Sequence, residues 1–98
     1  MPQWLVTARN GSDHEAAARR TAARPAHLDN VKALAASGRI LAGGALLNEK
    51  GEPIGSIAVA DFPNREALDD WLRTDPYATG NVWERIEVLP IALAVRAP

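Results

Sequence analysis

The chain carries a strand, a helix and a strand twice in succession, and this order constrains its fold more than any single motif does. Residues 4–8 (Trp-Leu-Val-Thr-Ala) read as a short buried strand, closed by the turn-favouring pair Asn10-Gly11. Ser12 stands three residues before Glu15, the spacing at which a hydroxyl and a carboxylate reciprocally satisfy free N–H groups at a helix start. The alanines at 16–18, 22 and 23 continue that helix. Pro25 has no N–H and restricts Arg24, which predicts a kink or a restart with Pro25 in the first turn of a second segment. Leu28, Val31, Leu34 and Ala35 then recur at helical spacing until Gly38 stops the helix.

The second unit opens with a strand over 40–47. Its central Gly43 and Gly44 predict a bulge or a close approach to the backbone. A polar turn at 48–52 leads into a third strand over 54–62, completing a hairpin. Asn64 is placed to cap a second helix whose apolar face is Ala67, Leu68, Trp71 and Leu72, and Thr74-Asp75-Pro76 ends it. The last strand spans about 82–95. Its apolar positions switch from even to odd near Val88-Leu89, beside Pro90, which predicts a bulge or edge where the strand changes partners. One half would pair within the subunit and the other would reach across a dimer.

The order β-α-β-β-α-β is that of a ferredoxin-like α+β fold, a four-stranded antiparallel sheet with helices on one face. The 98 residues make one domain, 1–98, near the lower end of what buries a self-sufficient core. Two helices cover only one face of the sheet, so a homodimer through sheet faces is expected. With 11 Lys and Arg against 12 Asp and Glu there is no basic field for a phosphate backbone, and a nucleic-acid partner is not expected. No apolar run is long enough to span a bilayer. The N-terminal residues lack the features of a signal peptide, and the chain has no cysteine, so a cytoplasmic location is expected.

Two separated fragments carry the chemistry: Arg24-Pro25-Ala26-His27 and Asp75-Pro76-Tyr77. His27 falls on the same helical face as Val31 and Leu34, which puts an ionisable ring toward the sheet. A lone buried histidine is most often a satisfied core residue, and Asp75 before proline is as readily a turn residue. If the fold joins them, the carboxylate holds one ring nitrogen and leaves the other for proton transfer. Arg24, one turn before His27, is either a cation for an anionic substrate or a solvated charge. Ser56 lines a cleft or satisfies backbone, Gly44 with Gly43 leaves room for a ligand or marks a bulge, and Tyr77 closes a pocket or packs at a dimer contact. Two histidines, with His14 expected in the exposed first turn of the first helix, do not make a metal site. The glycine pairs lack the placement of a dinucleotide fingerprint, and no cofactor is expected.

Taken in order, Arg24-Pro25-Ala26-His27-Leu28, Gly38-Arg39-Ile40-Leu41-Ala42-Gly43-Gly44, Gly55-Ser56, Asp75-Pro76-Tyr77 with Gly80, and Val88-Leu89-Pro90-Ile91 resemble the YCII-related (YciI-like) family over nearly the whole chain. The resemblance implies a dimeric α+β barrel and a cleft lined by a His and an Asp, here His27 and Asp75. It also implies, from relatives that act as dehydrochlorinase or lactone isomerase-like enzymes on small aromatic-degradation products, acid/base chemistry here on an unknown small-molecule ligand that is enolisable or anionic. The departures are Ala45-Leu46-Leu47 after the double glycine, where many relatives have a proline, and a short 48–52 turn. Two functions are therefore carried forward: an acid/base enzyme using His27 and Asp75, and a non-catalytic ligand-binding or structural homodimer.

Overall fold

The computed structural model describes residues 2–97. Its elements run β1 (Gln3–Asn10), α1 (Ala16–Ala36), β2 (Ile40–Leu47), β3 (Pro53–Asp61), α2 (Arg65–Thr74), α3 (Pro76–Thr79) and β4 (Trp83–Ile91). The strands form one sheet in the order β2-β3-β1-β4, antiparallel throughout, which is the ferredoxin-like arrangement. The alternation of β1 separates the faces. Trp4, Val6 and Ala8 are buried beneath the helices, whereas Leu5 and Thr7 face the other way and are only half-buried. Phe62, Leu68, Trp71, Leu72, Tyr77, Val82 and Trp83 complete the core on the helical side.

Four local expectations are corrected. The first helix does not restart at Pro25; it is one helix of 21 residues with the proline inside. Pro25 and Thr21, whose carbonyl loses the N–H four residues on, are both exposed, so water can take that carbonyl and the cost of an interior proline falls on the solvated face. The Ser12–Glu15 capping pair does not form. Glu15 is the N-cap and has no side-chain cap, while just before it the Asp13 carboxylate accepts from the Glu15 N–H at 3.2 Å and is gripped by Arg19 at 2.7 and 2.8 Å. His14 consequently lies before the helix, with its side chain exposed.

The third correction concerns β4, which keeps β1 as its partner in one register from Arg85, opposite Arg9, to Ile91, opposite Gln3. Val88 lies opposite Val6 and Leu89 opposite Leu5, so the apparent phase change is a strand with apolar side chains on both faces. The irregularity sits instead at the other end, between Arg9 and Asn10, and Leu93 and Val95 lie beyond the strand. Fourth, the bulge in β2 falls between Ile40 and Ala42 rather than at the glycines. Asn64 does cap α2, accepting from the Ala67 N–H at 2.8 Å. Among the described residues no helix is long and apolar enough to cross a membrane.

Candidate functional site

Asp75 joins α2 to α3 and is fully buried. Its extended backbone ends one helix, and Pro76 opens the next with a φ already suited to it. The carboxylate is saturated. Oδ1 accepts from the Tyr77 N–H at 2.8 Å and meets His27 Nδ1 at 2.6 Å, while Oδ2 accepts from Trp71 Nε1 at 2.9 Å and Asn30 Nδ2 at 3.0 Å. Burial by itself pushes this carboxyl upward, but the hydrogen bonds from His27, the Tyr77 N–H, Trp71 and Asn30 outweigh it and hold it below the ordinary carboxylate range. Asp75 is therefore an anion that only accepts. His27 must donate from Nδ1, which leaves Nε2 carrying the lone pair in the neutral ring.

The ring is fixed on its other sides by aromatics. His27 stacks on Tyr77 at 3.6 Å between centroids and 8° between planes, and Trp83 presents an edge at 5.9 Å. Trp83 Nε1 donates to Ser56 Oγ at 3.2 Å, so the Ser56 hydroxyl is free to turn its own proton elsewhere. Arg20 sits with Cζ 4.8 Å from the Tyr77 ring centre and donates to Asn10 Oδ1 at 3.0 Å. For the Tyr77 hydroxyl, burial raises the pKa above the usual tyrosine range, with Arg20 and Arg24 opposing the rise.

A cavity of roughly 490 Å³ lies between α1 and the β2–β3 half of the sheet, and His27, Arg20, Arg24, Ser56, Trp83 and Gly44 are among its walls. Five of the six residues singled out in the sequence fall here or directly behind: His27, Arg24, Ser56 and Gly44 on the wall, Asp75 behind His27. Gly44 gives the wall only its backbone: it pairs with Ile57, so a Cβ there would point to the open face of the sheet and meet nothing within 4 Å, whereas a Cβ at Gly43, opposite Ala58, would point under the helices and stand 3.2 Å from the Ile57 carbonyl oxygen. Tyr77 is different. It is buried in the core of the subunit, supporting the far side of the His27 ring, and neither lines the cavity nor waits at a surface for a partner.

Sequence reasoning missed Asn30, Trp71 and Arg20. Asn30 lies three residues after His27 and Arg20 four before Arg24, helical spacings that place each beside a residue already singled out. Trp71 stands four before Asp75, but only the docking of α2 onto the sheet shows that its N–H serves the carboxylate rather than the core alone.

The YCII-related domain model matches residues 3–92. The chain belongs to this family. It is 35% identical over 78 residues to Protein YciI of Escherichia coli O6:H1, covering 74% of this chain and 80% of that protein. It is also 35% identical over 103 residues to the Xenovulene A biosynthesis cluster protein asL2 of Sarocladium schorii, covering 95% and 90% respectively. Among solved structures it is similar to 5-chloro-2-hydroxyhydroquinone dehydrochlorinase (TftG) from Burkholderia phenoliruptrix in complex with 2,5-dihydroxybenzoquinone. The TM-score is 0.75 over 88% of this chain and 89% of that one, at 16% identity, a likeness of fold. A dimeric ferredoxin-like protein of unknown function from Jannaschia sp. is also similar, with TM-score 0.53 and 15% identity over 95% of this chain and all of that one.

Proposed function

We propose that this YciI-like protein is an acid/base enzyme acting on a small enolisable or anionic molecule, and that it works as a homodimer. The observation that carries the reading is the 2.6 Å contact between His27 Nδ1 and the buried anionic Asp75, in a ring that lines a cavity. Nε2 takes a proton from the substrate, and Asp75 stabilises the imidazolium that forms. The electron pair released from the C–H or O–H bond then moves so that the proton returns at another atom, or, where a halide sits on a carbon made tetrahedral by such a proton shift, expels the halide as a double bond forms. Negative charge on a substrate oxygen is met by the Ser56 hydroxyl and the Arg24 guanidinium, both on the cavity wall. Dehydrochlorination, for which the Burkholderia neighbour is named, belongs to this class of reaction.

The test is chloride release from 5-chloro-2-hydroxyhydroquinone, run beside isomerisation of small enolisable acids, for wild type, His27→Gln and Asp75→Asn. The expected result is a loss of kcat of about a hundredfold or more in His27→Gln with unchanged circular dichroism. Wild-type turnover in His27→Gln would sink the reading. A second reading has its own support, because the stack of His27 on Tyr77 with Asp75 between α1 and α2 also clamps the helices together. In a non-catalytic binding protein, His27→Gln would lower stability and ligand affinity together, with no turnover in the wild type.

The homodimer is supported by the half-open sheet face, where Leu5, Leu89 and Val59 lie in adjacent register, and by the dimeric state named for the Jannaschia neighbour.

A further inference from the structure

The walls of the cavity are electrically one-sided. They include Arg20, Arg24 and Lys32, and not one of the chain's 12 Asp and Glu side chains. Asp75, the carboxylate of the pair, is hidden behind the His27 ring with its acceptor capacity filled. Arg24 makes no hydrogen bond or ion pair among the described residues, so its donors are open to an incoming anion.

The cations are not spread evenly. Arg20 and Arg24 stand one turn apart near the start of α1, directly before His27, and Lys32 is exposed at the rim further along. Between and beyond them the lining is aliphatic: Leu28, Val31 and Ala35 from α1, with Ile40 and Ala58 from the sheet opposite. Seven helical residues separate Arg24 from Val31, about 10 Å along the axis. The cavity has an end with two arginines and a mainly aliphatic end with Lys32 only at its exposed rim.

From this polarity we infer that the site takes an amphipathic monoanion, with its carboxylate or enolate at Arg20 and Arg24 and an apolar tail running under α1 toward Val31 and Ile40. The inference rests on the acid/base reading for what happens at His27, but the binding mode stands on the cavity walls. An anion held at the arginines places the atoms next to its charged group beside His27. The tail fixes orientation by burial against Val31 and Ile40.

The experiment titrates the wild-type protein with straight-chain carboxylates from butanoate to decanoate, and with the alkylammonium ions and alcohols of equal length. Fluorescence of Trp71 and Trp83, both on the cavity wall, reports occupancy. The carboxylates are expected to bind with affinity rising about fourfold per methylene until the apolar end is full. Alkylammonium ions should not bind measurably, and Arg24→Gln should weaken every carboxylate by a similar factor. Val31→Trp, which fills the apolar end, should flatten the series beyond the shorter acids. Equal binding of acids, amines and alcohols would overturn the inference, as would an affinity independent of chain length. The wild-type series decides alone should Val31→Trp not fold. Carboxylate binding is read on the wild type with no turnover required, and proton transfer is read separately as kcat, so a failure of this binding mode and a failure of the proton-transfer reading are told apart.

Discussion

Asp75 concentrates more of this molecule's polar chemistry than any other residue, because four donors from three elements converge on one buried carboxylate. Replacing it by Asn keeps the volume but turns one acceptor into a donor facing donors, which is expected to cost about 3 kcal/mol at neutral pH. The pH dependence has a definite sign. A carboxyl held below its ordinary range when folded adds stability above the unfolded value of about 4, and that stability is lost as pH falls through the folded value. Urea unfolding of wild type and Asp75→Asn should therefore diverge at pH 7 and converge toward pH 2; a gap that stays constant in acid would show Asp75 uncharged. Tyr77 offers an independent check, since it is the chain's single tyrosine. Its alkaline absorbance titration should lie above the usual tyrosine range, and Arg24→Gln should move it higher by removing an opposing cation. A titration at the ordinary value would place the ring in water. Its raised folded value also means that stability present below about pH 10 is lost as pH rises further. At this scale His27 and Asp75 were readable as residue types beside prolines, whereas the partners Asn30 and Trp71 were not, because their roles depend on how α1 and α2 dock.

Among the elements, the hairpin and α2 were legible because their signals are local: alternation, a polar turn, and an asparagine whose side chain closes a helix start. The failures share a cause. Proline in α1 reads as a kink or a restart unless it is known that its face is solvated, and Ser12 reads as a cap unless the turn before the helix is known to be held by Asp13 and Arg19. Odd and even apolar positions in β4 read as a bulge because a strand covered on one side and apolar on the other has no single alternation. Gly55 shows how an element can depend on one missing atom. A Cβ there would stand 2.2 Å from the Ala8 carbonyl oxygen, inside the contact between β3 and β1. Gly55→Ala must push the two strands apart and is expected to cost about 3 kcal/mol, the upper end for an overpacked site. Because Ser56 follows directly, the same shift should move its hydroxyl from Trp83 Nε1 and change tryptophan emission. An alanine variant as stable as wild type would mean that β3 has slack at this crossing.

At the scale of the whole molecule, the two sheet faces explain why so small a chain still calls for a partner. One face is closed by Trp4, Val6, Ala8, Ala58 and Ala60 under the helices, and its residues are nearly all excluded from water. The other carries Leu5, Ile57 and Val59 half-buried and Leu89 53% exposed, with no helix to cover them. Burying apolar surface of this kind is worth about 25 cal/mol per Å², and a second copy offers the same surface in return. The proposed homodimer thus predicts that Leu89→Lys, a change on the open face away from the His27 cavity, converts a dimer into a monomer in light scattering. Its far-ultraviolet circular dichroism should remain that of the wild type, because Leu89 contributes nothing to the covered core. If Leu89→Lys instead retains the wild-type mass, the open face is not the contact surface. If the wild type is itself monomeric, the half-open sheet stands in water on its own and the homodimer reading falls.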